Sequence, residues 1–349
     1  MSQRLVVTSH RPRAGQELLH AFVERHGVWG VHAFSSASDW PAMDTGGLNH
    51  AVLDRQAPGL TCCIIDQPCV ADLVKILRTI QPGAILHAPL LGIPAADPTI
   101  EDYQAVVNGT LFWLEAARQA CPTVPFIHVS SSQVYGDRAN TIAMEERGRR
   151  LEFADPAYTA GITKYFPVEG STHSLLGAAA VAADVLAQEY ERSFHLPVCC
   201  LRVDSFCDPG NGVEDRRDVL SQIAHCCLTG TEYVIQGDQG RQVREVVSAR
   251  DLGMLIEAII REPRGGEIYN VGGGKPSSCS IDEAMLWIET VAGKSLRRKY
   301  SVVPPLGEPH CYYSDVRHLR DHYPEWEVTE TWKELARRVV EAQSARLAR

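Results

Sequence analysis

The chain has 349 residues, 45% hydrophobic and 22% charged, enough to bury a sizeable core in one large domain or two modest ones. A net charge of -9 supplies no basic surplus to neutralise phosphates, which argues against nucleic acid as the main partner but leaves room for one bound nucleotide. No apolar run approaches the roughly 20 residues of a membrane span, and Met1 to Val7 does not read as a secretory signal, so a cytoplasmic protein without a membrane partner is expected.

In chain order, Arg4 to Thr8 is a short apolar strand, and Gly15 to Arg25 follows with helical spacing of Leu18, Leu19, Phe22 and Val23. Val28 to Phe34 is a second strand, and Thr61 to Ile65 a third that ends at Asp66. A helix over Val70 to Ile80 leads to a strand over Ala84 to Ala88. Tyr103 to Cys121 is a long helix with Val107, Leu111, Leu114 and Ala117 on one face. A strand at Pro125 to Ser130, an alanine-rich helix at Leu175 to Phe194 and a strand at Pro197 to Arg202 complete an alternating series. That order predicts a parallel sheet wound on both faces by right-handed crossovers.

After Arg202 the pattern loosens. Pro209-Gly210-Asn211-Gly212 and Gly237-Asp238-Gln239-Gly240 are loops, Gly272-Gly273-Gly274 precedes a helix over Ile281 to Val291, and a charged helix spans Glu330 to Arg349. The expected fold is α/β: a Rossmann-like doubly wound sheet over residues 1–202, with a segment returning near 240–275, and a smaller substrate lobe over 203–349. The eleven cysteines show no CxxC and no Cys/His spacing that fits zinc, so they read as small buried hydrophobes and no metal is expected.

Five segments then fall into one order. Val107-Asn108-Gly109-Thr110 through Leu114-Glu115-Ala116-Ala117-Arg118, Ser130-Ser131-Ser132-Gln133-Val134-Tyr135-Gly136-Asp137, Gly237-Asp238 through Arg244 to Asp251, Tyr269-Asn270-Val271-Gly272-Gly273-Gly274, and Ser314-Asp315-Val316-Arg317 stand from one end of the chain to the other. Together they resemble the extended short-chain dehydrogenase/reductase family, in its nucleotide-sugar epimerase/dehydratase branch. The resemblance implies a Rossmann domain holding NAD or NADP, a C-terminal lobe holding a nucleoside-diphosphate sugar, and a Tyr-x-x-x-Lys pair that serves hydride chemistry. It also implies a homodimer through a four-helix bundle made by the helices at 103–121 and 175–194.

Against that pattern several positions differ. The family's glycine-rich first turn here reads Thr8-Ser9-His10-Arg11-Pro12-Arg13-Ala14-Gly15, with only Gly15 retained. Pro12 removes an N–H donor and fixes φ, so Arg11 and Arg13 are the candidates to hold a phosphate by charge, and Asp66 stands where the family contacts adenine. The Tyr and Lys positions hold Leu176 and Ala180, neither of which moves a proton. The family's cofactor is therefore expected either in an altered seat or not at all.

On the substrate side, Arg244 matches the family's diphosphate grip, with Arg202, Asn211, Tyr269 and Asn270 as further ligand contacts. Ser131, His173 and His87 are the candidate proton-handling groups. Three functions stay open: redox-neutral acid–base chemistry on a nucleotide-activated sugar or similar metabolite, a catalytically inactive binding or scaffold subunit, and an NAD-dependent epimerase with unusual residues.

Overall fold

The structure, a computed structural model, describes residues 4–9, 31–35, 50–53, 60–65, 69–90, 93, 98–207, 209, 218–301 and 306–348. The strands are β1 (Leu5–Ser9), β2 (Val31–Ser35), β3 (His50–Leu53), β4 (Leu60–Ile65), β5 (Ala84–Ala88), β6 (Phe126–Ser131), β7 (Met144–Arg147), β8 (Arg150–Phe153), β9 (Val198–Val203), β10 (Phe206–Cys207), β11 (Glu232–Gln236), β12 (Val243–Glu245), β13 (Val247–Ser248), β14 (Ile268–Val271), β15 (Ser278–Ser280) and β16 (Arg297–Ser301). The helices are α1 (Val70–Ile80), α2 (Ile100–Ala120), α3 (Leu175–Phe194), α4 (Val219–Thr229), α5 (Ala249–Arg261), α6 (Ile281–Ala292), α7 (Arg317–His322) and α8 (Trp332–Leu347). Among the described residues no helix is long and apolar enough to cross a membrane.

Eight strands form the central sheet in the order β14-β9-β6-β5-β1-β2-β4-β3. All neighbours run parallel except β3 against β4. The chain leaves β1 towards β2 and then returns to β5 on its other side. Strand order thus reverses at β1, and in such sheets a crevice opens beyond the carboxyl ends at this switch point.

Alternation along the strands explains why both faces are covered. Leu5, Val7, Leu86, Leu201 and Val203 point into one buried cluster, closed by Leu252, Leu255, Ile256 and Ile259 of α5. Val6, Ile85, Val198 and Cys200 point into the other, closed by Leu73 and Leu77 of α1, Trp113 and Leu114 of α2, and Tyr190 of α3. Burying each such side chain stabilises the fold by about 1.5–3 kcal/mol, so the sheet centre is the most expensive place to open. A separate cluster joins α4, α6 and α8 through Leu220, Ile223, Met285, Ile288, Leu335 and Val339.

The expected helices at 70–80 and 175–194 and the strand at 84–88 form with those bounds. α2 starts earlier than expected, because Thr99 and Asp102 form a reciprocal capping box that satisfies backbone donors ahead of Tyr103. β3 and the β7–β8 hairpin were not expected. β7 reads Met-Glu-Glu-Arg and is mostly exposed, and β8 reads Arg-Leu-Glu-Phe, a four-residue alternation too short to announce a strand. The expected helix over 15–25 lies outside the described residues.

Candidate functional site

The carboxyl ends of the parallel strands gather the polar residues. Two neighbouring networks form there, and they differ in charge balance.

The first is closed. Arg202, near the end of β9, donates through Nη2 and Nε to Asp184 of α3 at 2.7 and 3.1 Å. Its Nη1 donates to the Tyr135 hydroxyl at 2.9 Å. Tyr135 donates onward to Asn270 Oδ1 at 2.7 Å, and Asn270 Nδ2 donates to the Ile162 carbonyl at 2.8 Å. Burial alone would push the Asp184 carboxyl up, but the forked guanidinium holds it below its ordinary value. Burial raises the Tyr135 phenol, so this hydroxyl stays protonated. Arg202 and Asn270, expected to touch a ligand, spend their hydrogen bonds inside this network instead. Tyr269 likewise turns to the far side, its hydroxyl 2.6 Å from His322 Nδ1.

The second network is open. Ser132, just past β6, donates through Oγ to Asp204 Oδ1, and Asp204 follows directly on β9. The other carboxyl oxygen, Oδ2, is buried and has no hydrogen-bond partner. Burial pushes the Asp204 carboxyl up to about 6; Glu308 adds to the rise, while Arg244 and Ser132 oppose it. Glu245, at the end of β12, is fully buried and accepts from Ser314 Oγ and, at 2.6 Å, from the Gly274 amide. Burial and the nearby Asp204 charge push Glu245 up to about 7. Arg244 donates to Glu308 Oε2 at 2.7 Å and to the Val243 carbonyl at 2.9 Å. Gln133 Nε2 reaches Glu308 Oε1 at 3.3 Å, and Asn140 Nδ2 reaches the Glu308 carbonyl at 3.2 Å. Two carboxyl groups, Glu308 and Asp204, thus face one guanidinium, and Glu245 lies close enough for the Asp204 charge to raise it further.

Backbone geometry fixes this arrangement. Gly136 has φ 53°, and a Cβ there would stand 2.3 Å from the Thr172 carbonyl, so glycine is required where the strand-end turn meets the start of α3. At Gly272 a Cβ would fall 2.0 Å from the Glu245 carboxyl carbon. The space beside Gly272 is therefore filled by the chain's own Glu245.

His173 donates from Nε2 to the Val134 carbonyl at 2.9 Å; a carbonyl only accepts, so Nε2 carries the proton and Nδ1 is the basic atom. It lies beside Gly136, one turn from the second network's Ser132–Gln133 segment. Ser131 is buried and its Oγ accepts from the Gln133 amide at 3.2 Å, which caps the turn. His87 is a core histidine: its ring nitrogens meet Thr8 Oγ1 and, at 3.0 Å, Thr110 Oγ1. Burial, with His128 adding, holds it well below the usual histidine value, so it stays neutral. Leu176 and Ala180 lie on the buried face of α3 and are packed in the core. Gly15, Arg11, Arg13, Asp66 and Asn211 lie outside the described residues.

Ser132, Gln133, Asp204, Glu245 and Glu308 were missed by sequence reasoning. Asp204 had a usable signal, since a carboxylate directly after a parallel strand sits where such sheets place their sites. Glu308 had none.

A family model described as the NAD dependent epimerase/dehydratase family matches residues 6–272. The chain belongs to that family. It is 28% identical over 215 residues to a dTDP-glucose 4,6-dehydratase of Xanthomonas campestris pv. campestris (strain B100), a match covering 58% of this chain and 54% of that protein. It is 26% identical over 244 residues to a CDP-paratose 2-epimerase of Salmonella typhi, covering 65% and 68%. The chain thus spans about half the length, 54%, of the dehydratase it matches. Among solved structures, the dTDP-glucose 4,6-dehydratase of Bacillus anthracis str. Ames in complex with NAD aligns with a TM-score of 0.74 at 19% identity, over 98% of this chain and 96% of that one. The UDP-glucose 4-epimerase of Thermotoga maritima with UDP-glucose aligns at 0.71 and 18%, over 99% of both. These likenesses establish the α/β Rossmann fold, with its parallel central sheet, that the sequence predicts.

Proposed function

We propose that this family member performs redox-neutral proton transfer on a nucleotide-activated sugar or similar metabolite, with Asp204 as the proton-carrying group. The observation that carries this is the Asp204 carboxyl: buried, held on one oxygen by Ser132, unpartnered on the other, and pushed up to about 6. A carboxyl poised there both takes and returns a proton at neutral pH.

The assignment of roles follows from the contacts. Asp204 Oδ2 takes a proton from the substrate. It then returns it to a departing hydroxyl on the neighbouring carbon, which leaves as water, or to the same centre once the planar enolate has turned its opposite face to the carboxyl, which inverts that centre. Either course conserves electrons. It requires a C–H bond already acidified by a neighbouring carbonyl, which defines the substrate as a keto-sugar or an equivalent carbonyl compound. Ser132 orients the carboxyl, and Arg244, exchanging Glu308 for a diphosphate, is the anchor. The separation into residues 1–202, with the return at 240–275, and a substrate lobe over 203–349 belongs to the same proposal.

The family's name and the NAD-bound neighbours favour a nicotinamide cofactor. At the end where a proton relay would serve it, Leu176 and Ala180 offer no polar side-chain atom and are buried at 1% and 0% exposure. These residues do not fit the hydride relay, and no step is derived through the cofactor. The same burial favours a second function, a binding subunit without turnover.

One set of measurements separates the three functions. Thermal shift with UDP, CDP, dTDP, NAD and NADP reads binding; a ligand at about 100 times its Kd stabilises by roughly 2.7 kcal/mol. Solvent deuterium incorporation into a panel of keto-sugar nucleotides reads proton transfer. Expected is exchange that Asp204→Asn reduces by about 10²–10⁴, with binding retained. Binding without exchange supports the scaffold function, and absorbance of a reduced nicotinamide during turnover supports the NAD-dependent one.

We also propose a cytoplasmic homodimer through α2 and α3. Ile100, Val185 and Phe194 are large hydrophobic residues exposed on those two helices, and nine described cysteines are free thiols. A monomeric mass by light scattering refutes the dimer.

A further inference from the structure

At the opposite end of β14 from the candidate site, four polar groups converge on one point. β9 and β14 run parallel, with Ile268 beside Cys200 and Val271 beside Val203, so Glu267 lies at the amino end of the pair and Asp204 at the carboxyl end. β14 is an edge strand, and α7 beside it carries His318 and His322 one helical turn apart, their ring centroids 4.4 Å from each other. Lys164 reaches in from the segment before α3.

The distances exclude an ordinary hydrogen-bond chain. Lys164 Nζ is 2.7 Å from Glu267 Oε2 and 2.8 Å from His318 Nε2, while those two acceptors are 2.9 Å from each other. Nε2 cannot accept from the ammonium and donate to the carboxylate at once. With Lys164 donating to both, two lone pairs face the same cation. His322 presents its Nδ1 to the Tyr269 hydroxyl, which fixes the ring and directs Nε2 the other way. One ligand atom from each of Glu267, His318 and His322 lies within 4.8 Å of the others.

We propose that Glu267, His318 and His322 bind one divalent transition-metal ion of the zinc class, with Lys164 the resident cation that the metal displaces. Two imidazoles and a carboxylate form a three-ligand set that leaves a fourth position for water. Tyr269 plays the part of an outer-shell partner that orients a metal-bound histidine through its other ring nitrogen. The groups are half-buried and therefore reachable from solvent. Sequence spacing did not show the set, because Glu267 is 51 residues from His318.

The test is titration of chelator-treated full-length protein with Co²⁺ and with Zn²⁺. Equilibrium dialysis reads the stoichiometry, and visible absorption reads the Co²⁺ ligand field. Expected is one ion per chain with a nitrogen/oxygen spectrum and no thiolate charge-transfer band. His318→Ala and His322→Gln weaken binding by roughly a hundredfold or more and Tyr269→Phe by roughly tenfold, while Lys164→Met tightens it. Each variant is checked by circular dichroism and melting without metal, so that a folding defect is not scored as lost binding. Binding unchanged in well-folded His318→Ala and His322→Gln, or no ligand-field band in the parent protein, overturns the proposal.

Discussion

Arg202 and Asp204 stand two residues apart at the end of one strand, yet they belong to opposite kinds of buried polar structure. Around Arg202 every charge is answered: one guanidinium, one carboxylate, a phenol and an amide, each bonded on. Around Asp204 two carboxyl groups compete for Arg244, a third, Glu245, is buried nearby without a cation, and one buried oxygen has no partner. A balanced network holds strands together. An unbalanced one keeps protons loosely held, which a structural role does not need and a proton-transfer site does.

The largest expected effect breaks the balanced side. Arg202→Ala strands Asp184 as an uncompensated buried charge and is expected to lower unfolding stability by about 3–5 kcal/mol in urea titrations. Replacing both partners by apolar residues, Arg202→Met with Asp184→Leu, is expected to recover most of that loss. A double variant as unstable as the single one contradicts the closed-network description.

The unbalanced side is expected to respond with the opposite sign. The folded value of Glu245, about 7, lies above its ordinary 4.5, so the folded state binds the extra proton between these limits. Stability from this group is fully present below about pH 4.5, falls as pH rises through 7, and is absent above. Glu245→Gln removes that dependence and is expected to be more stable than the parent at pH 8, by on the order of 3 kcal/mol. Identical pH–stability curves for the two proteins place Glu245 outside a coupled cluster.

The smallest effect falls on a position in neither network. Leu176, on the buried face of α3, is 1% exposed. Restoring the family's residue with Leu176→Tyr overfills this packing and is expected to cost about 1–3 kcal/mol by thermal melting. A stabilised variant means that the core there has room for a phenol.

The fold was legible because strand alternation and helical spacing survive wherever a residue faces the core: α1, α3 and β5 follow their apolar patterns end to end. β7 and β8 were not, since each has only four residues and β7 carries a single apolar one, Met144, which meets Phe153 of its partner. The site was legible only in outline. The open network lies beside expected residues, Ser131, Arg202 and Arg244, but in two places it is the neighbour, Ser132 or Asp204, that belongs to it. Ser132 rather than Ser131 meets the carboxyl because the strand ends at 131 and the next turn breaks the alternation. Asp204 rather than Arg202 is poised because Asp184, eighteen positions away on a helix, occupies the guanidinium. Such long-range partners leave no periodicity to follow.

Gly272 and Glu245 occupy space that only one of them can fill: any side-chain carbon at 272 lands on the carboxyl group. The two positions are therefore tied in their variation. A larger residue at 272 is tolerated only after 245 has shortened, which fixes the order of the two steps and makes restoration of the long acid at 245 alone a dead end. Among homologues, a long acid at 245 should therefore occur only beside glycine at 272.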